Sequence, residues 1–212
     1  MTSRFTVRRP ALEAAAVTAA MVLFALFAHR GLPWSAVSGA GLLATAALIG
    51  TSLRNTPWPA GPRSRVVPLA VVGIAIGALG GVLQRQQAGA LPEPATGLQL
   101  FVLLACLIGI TEELVYRGWM LGRLGGLGWP VAVAFTALSH AAYKTALFSW
   151  PPDSLSMGFN LAGIALWTVA GGMVLGVLRV ASRSVLPAVL AHAVFDAVVY
   201  SAFATPPWWV WG

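Results

Sequence analysis

Charge is the scarcest property of this chain. Of 212 residues only 9% are Asp, Glu, Lys or Arg, whereas 58% are hydrophobic. A soluble domain carries about a quarter charged residues, so this composition excludes an ordinary water-soluble fold. Cysteine is nearly absent too. The single thiol, Cys106, excludes an internal disulfide and a cysteine-rich zinc site. There is no HExxH pair, no convincing repeat, no low-complexity tail and no second domain. Lysine occurs once, at Lys144, in a chain rich in Gly, Ala, Arg and Trp, a bias expected of a GC-rich bacterial genome.

What is present is a series of apolar runs long enough to span a bilayer. Turn and charge signals divide them into helices expected at about 11–28, 34–50, 66–83, 98–121, 130–148, 159–179 and 185–203. The separators are turn chemistry, such as RGLP at Arg30–Pro33, GGLGWP at Gly125–Pro130 and SWPPDS at Ser149–Ser154. The first run follows Arg4, Arg8 and Arg9 as a signal peptide would, but no small-residue cleavage site precedes a polar mature domain, so it reads as a spanning helix. The expectation is all-α: one integral membrane domain over residues 1–212, a polytopic bundle of about seven transmembrane helices.

Basic residues in short loops stay on the cytoplasmic side. With the N-terminus inside, Arg4, Arg8, Arg9, Arg54, Arg63, Arg65, Arg123, Arg179 and Arg183 all fall inside, and Arg30, Arg85 and Lys144 toward the outer face. The formal charge of +7 is then accounted for by topology and anionic lipid, and no nucleic acid partner is needed. The tail PPWWVWG suits an aromatic belt at the outer interface.

Sorting the charges leaves Glu112, Glu113, Arg117, His140, His192 and Asp196 at membrane depth. Ionisable groups there are expensive, face the bundle interior and mark sites. Glu113 and Arg117 are four apart, with the acid first, the better order for an ion pair on one helical face. His192 and Asp196 repeat that spacing, so the carboxylate can fix the imidazole's protonation. Glu112 is turned about 100° from Glu113 and cannot share Arg117 equally. Lys144, near a helix end, is most simply a snorkelling side chain.

These residues resemble a family. EELVYR (Glu112–Arg117) is an EExxxR motif, HAVFD (His192–Asp196) is an HxxxN/D motif, and FTALSH (Phe135–His140) brings a histidine between them. The chain is similar, over residues 98–203, to the CPBP intramembrane proteases, the CAAX protease and bacteriocin-processing or ABI family. The middle motif departs from the family's FxxxH, because Phe135 stands five residues before His140 and Thr136 holds the fourth-preceding position. The resemblance implies that Glu112 and His140 activate a water for attack on a peptide carbonyl, and that His192 stabilises the oxyanion. Glu113 and Arg117 would serve as positioning residues. Asp196, an anion that cannot donate to an oxyanion, would orient His192.

That chemistry is sound, since a carboxylate desolvated in a cavity is a stronger base and an imidazole in a water-poor site is a stronger electrostatic stabiliser. It needs no cofactor. Zinc held by Glu112, His140 and His192 is the alternative, because two histidines and a carboxylate form many catalytic zinc sites. The expected partners are the bilayer and a membrane-tethered or membrane-inserted peptide, in a bacterial cell membrane. The other functions open are a catalytically silent scaffold or bacteriocin-immunity protein and, less favoured for want of a repeated half, an ion-coupled transporter. Glu112 and His192 lie roughly 15 and 10 Å from the arginine-bearing helix ends, at about 1.5 Å per residue, and His140 reaches a similar level. Access for water and substrate is therefore expected from the cytoplasmic side.

Overall fold

A computed structural model of the chain describes residues 3–28, 61–87, 99–149, 161–201 and 203. The expected helix at 34–50 and the tryptophan-rich tail lie outside these. Six long helices are present among the described residues and no strand: α1 (Ser3–Ala28), α2 (Arg63–Gln87), α3 (Leu100–Glu113), α4 (Trp129–Phe148), α5 (Leu161–Ser182) and α6 (Leu186–Tyr200). Four of them, α1, α2, α4 and α5, are long and apolar enough to cross a membrane, and α6 is a shorter apolar helix. The path of α3 does not end at Glu113. It widens into a π-helical segment, Leu114–Met120, and closes with an α-turn, Leu121–Leu124. The sequence boundary at 121 therefore fell a turn short.

Local chemistry explains the breaks. Gly128 takes φ 89°, a left-handed value that a side chain resists, and Pro130 follows at the start of α4, where its missing N–H costs nothing. The turn between α5 and α6 is only three residues long. Ser182 ties it, its hydroxyl accepting the Ser184 N–H at 3.1 Å, and Pro187 begins α6.

Helix contacts run through small residues. Gly73, Gly77 and Gly81 form one face of α2, and a Cβ on Gly77 would collide with the Ala191 carbonyl oxygen of α6. In α5, Gly172 and Gly176 sit against Ala137 and Val133 of α4. Close backbone approach of this kind is how helices gain packing where lipid offers no hydrophobic incentive to associate. α1 packs on α4 and on the end of α3 through Ala14, Met21 and Ala25. Thr18 donates to Ser139 at 3.0 Å, and Glu13 takes both Arg9 and Arg123. Leucines and valines such as Leu79, Leu100, Val131, Leu138 and Leu166 face outward. Glu112, Glu113 and Arg117 are fully buried. That inversion, apolar outside and ionic within, is what a lipid solvent demands.

The ends of the bundle are distinct. Glu13 joins the start of α1 to Arg123, Gly61 before α2 abuts Ser182, and Arg85 near the end of α2 reaches the Val198 carbonyl at 3.4 Å. Arg9, Arg63, Arg65, Arg123, Arg179 and Arg183 are thus carried at one end, as the alternating directions read from the sequence require. Arg85 is at the other.

Candidate active site

The site is built where α3, α4 and α6 meet. Glu112 and Glu113 end the regular part of α3, and the π segment behind them carries Tyr116 and Arg117 inward. Such wide turns interrupt the α-helical ladder and are common at functional sites. α4 contributes His140 and Lys144, and α6 contributes His192 and Asp196. All six deep ionisable residues picked out by the sequence converge, on the three helices expected.

Arg117 is the hub. Its Nη1 donates to Glu113 Oε1 at 2.8 Å and lies 2.9 Å from His140 Nδ1. A guanidinium only donates, so Nδ1 accepts and the proton of neutral His140 is on Nε2. That Nε2–H points at Glu112 Oε2, 3.0 Å away. The other carboxylate oxygen, Glu112 Oε1, takes the Lys144 ammonium at 2.6 Å. Lys144 therefore does not snorkel to the interface. Its side chain is about one-fifth exposed, and its charge faces a fully buried carboxylate. The tyrosine before Arg117 completes the cage, with the Tyr116 ring stacked on His140 at 4.5 Å between centroids.

His192 is held differently from the sequence expectation. Its Nδ1–H donates to Glu113 Oε1 at 2.9 Å, so Glu113 receives both Arg117 and His192. The nearest approach to Asp196 is 3.8 Å, from Nε2 to Oδ2, and Nε2 is equally 3.8 Å from Glu112 Oε2. Asp196 thus faces His192 beyond hydrogen-bonding reach. It stands against Gly109 of α3, where a Cβ would strike its Oδ2 and crowd the His192 ring. The i,i+4 rule failed here because a carboxylate on another helix was better placed. Phe135 packs at the edge of the apolar core, while Thr136 is fully buried and donates to the Val133 carbonyl at 3.0 Å. Aromatic contacts to His140 come from Tyr116, a residue the sequence reading passed over, and from Tyr143 at 6.4 Å between centroids.

A cavity of ≈ 310 Å³ opens beside this cluster. Arg117, His140 and His192 line its inner end, and its walls are α2 from Ile76 to Gln87, α5 from Trp167 to Leu175, and α6 at Ala191 and Phe195. On α2 these residues lie in the half remote from the arginine-bearing end, and on α5 they span the middle of the helix.

A family model for the type II CAAX prenyl endopeptidase Rce1-like proteins matches residues 94–198, which include α3, α4 and α5 and nearly all of α6. The chain belongs to this family. The match, about half of the chain, covers both motif helices and every residue of the cluster, and the membership is consistent with the CPBP proteases the motifs resemble. No curated protein and no solved structure matches the chain. Membership of a CAAX-protease family and the apolar helices together make this an integral membrane protein of a protease family.

Proposed function

We propose that this chain is an intramembrane endopeptidase that hydrolyses a peptide bond of a membrane-tethered or membrane-inserted substrate by a glutamate-dependent, metal-free mechanism. The observation that carries the reading is the pairing of Glu112 Oε2 with His140 Nε2 at 3.0 Å beside an open cavity. Water that passes from that cavity between His140 and His192, which line it, to the buried Glu112 behind them adds its oxygen to the scissile carbonyl carbon and passes a proton to Glu112. Collapse of the tetrahedral species breaks the C–N bond, and the same proton goes to the leaving amine. Lys144 and His140 hold the two Glu112 oxygens, fixing the carboxylate in place. His192 stabilises the oxyanion through Nε2–H. The ring is then cationic, and Glu113 and Asp196 flank it with compensating charge.

The donor set supports the metal-free form. Zinc takes the lone pair of a histidine nitrogen at about 2.0–2.1 Å, and here His140 Nε2 carries its proton because Arg117 occupies Nδ1. The Lys144 cation on Glu112 adds repulsion to any divalent ion.

The arginine-bearing end is inferred to be cytoplasmic, from the bias of basic residues. The test is a comparison of membrane peptidomes from cells carrying the wild-type gene or a Glu112→Ala copy, with and without a zinc chelator. Cleaved membrane peptides should disappear in the variant and persist under the chelator. Identical peptidomes for wild type and variant would refute the protease reading, and loss under the chelator alone would refute the metal-free form.

A further inference from the structure

Lys144 stands in none of the three motifs, yet it makes the shortest contact to the proposed base. It follows His140 by four residues, so the two share one face of α4. Each takes one oxygen of Glu112, the Lys144 Nζ on Oε1 at 2.6 Å and the His140 Nε2 on Oε2 at 3.0 Å. Among the described residues this is the one hydrogen bond of the ammonium. An ammonium has three N–H groups, and this side chain is about one-fifth exposed, so two donors remain for a further acceptor. The Tyr143 ring faces the same nitrogen at 5.7 Å.

Charge counting gives those donors a purpose. Glu112, Glu113 and Asp196 bring three carboxylates to the cluster against two fixed cations, and Arg117 is committed to Glu113. Lys144 is therefore the cation that lets Glu112 stand ionised away from water. When the attacking water gives its proton to Glu112, negative charge leaves that carboxylate and appears on the substrate oxygen. Glu112 is then a neutral acid, and the ammonium beside it is uncompensated. The attacked carbonyl stands one water beyond Glu112, so the new oxyanion forms roughly 5 Å from the carboxyl group. Opposite charges at that separation attract strongly in a site shielded from water, and the flexible four-carbon stem can follow the charge.

We propose that Lys144 is a catalytic residue, its ammonium pairing with the Glu112 carboxylate at rest and with the tetrahedral oxyanion, beside His192, after proton transfer. This rests on the protease reading above and adds to it an electrostatic group that the motifs lack. Lys144 keeps its three protons throughout. The proton taken from water stays on Glu112 until the C–N bond breaks and the leaving amine receives it.

The test uses the full chain in liposomes with a pool of palmitoylated fluorophore–quencher peptides degenerate in Ala, Val, Leu and Ser. Cys106 and Lys144 are each the sole residue of their type, so Lys144→Cys in a Cys106→Ser background gives one addressable thiol. Lys144→Cys should lower kcat by at least about a hundredfold and leave KM within about threefold of the parent. Alkylation of that thiol with 2-bromoethylamine, verified by intact mass, rebuilds an ammonium on a stem of lysine length and should restore at least about one-tenth of the parent kcat. Iodoacetamide adds comparable bulk without charge and should restore nothing. Recovery with both reagents or with neither overturns the catalytic role. So does a Lys144→Cys kcat within about threefold of the parent, or a loss confined to KM. If Lys144→Cys melts too low to assay, Lys144→Arg and Lys144→Met decide: the retained cation should give at least about tenfold the kcat of the neutral variant, and equal rates overturn the proposal. Cleavage by Glu112→Ala, or none by wild type, overturns the protease reading itself. Cleavage lost in Glu112→Ala but retained in Lys144→Cys leaves that reading standing and removes Lys144 from the chemistry.

Discussion

Arg117 separates structure from chemistry in this site. Its side chain is wholly buried, and one nitrogen serves both Glu113 Oε1 at 2.8 Å and His140 Nδ1 at 2.9 Å. Arg117→Ala leaves the Glu113 carboxylate buried with His192 as its remaining partner. Breaking a buried pair in this one-sided way costs about 3–5 kcal/mol. At about 2–4 °C per kcal/mol for a chain of this size, the melting temperature should fall by roughly 10 °C. Replacing both partners, as in Glu113→Gln with Arg117→Met, removes the stranded charge, and such neutral replacements are often tolerated. The double variant should therefore recover at least about half of the lost stability. Activity should not return with it. Without the guanidinium, nothing forces the His140 proton onto Nε2, and the glutamate–histidine arrangement is lost. Arg117→Lys should fall between, because an ammonium lacks the planar fork. Thermal unfolding followed by tryptophan fluorescence in detergent, with peptide cleavage in liposomes, measures both quantities. An Arg117→Ala protein melting within about 2 °C of wild type, under 1 kcal/mol, would refute the burial argument. A double variant that recovers full activity along with stability would refute the assignment of Arg117 to the chemistry.

Lys144→Met removes the cation 2.6 Å from Glu112, and loss of a charged hydrogen bond should cost about 1.5–3 kcal/mol in the same unfolding assay and reduce cleavage. An unchanged melting point would return Lys144 to the role of a snorkelling side chain. Asp196→Asn should keep kcat/KM within about tenfold of wild type, because no hydrogen bond joins Asp196 to His192 at 3.8 Å. Gly109→Val should abolish activity by driving a side chain into Asp196 and the His192 ring, and wild-type cleavage would show that α3 and α6 are not closely apposed. In oriented membranes, single cysteines beside Arg123 and Arg183, in a chain lacking Cys106, should react from the cytoplasmic side. Labelling from the outside alone would invert the proposed orientation.

The fold was legible because each of its rules is local or compositional. Length and apolar content marked the helices, and Gly128 and Pro130 marked a boundary. The π segment was not legible. EELVYRGWML carries no proline or insertion to announce it, and the cost of widening α3 is met by contacts from other helices: the Tyr116 stack on His140 and the Arg117 bond to it.

Within the site, chemistry outran geometry. Burying an ionic residue in a membrane protein demands a partner, so sequence alone selected Glu112, Glu113, Arg117, His140, His192 and Asp196. Which carboxylate serves which histidine was beyond it, because i,i+4 spacing speaks only for one helix. Across helices, Glu113 reaches His192 at 2.9 Å and displaces Asp196 from that role. Lys144 was misread for the same reason, its partner lying 32 residues away on α3. Glu112 is twelve residues from Leu100 and twelve from Leu124, so the extended α3 path places it at the midpoint, favouring neither face. Access is then decided by where the bundle leaves space, and it is left along the C-terminal half of α2 and the middle of α5. The residues that bear charge fix where the chemistry occurs, and the glycines of the neighbouring helices, Gly77, Gly80 and Gly171 among them, leave the room beside it.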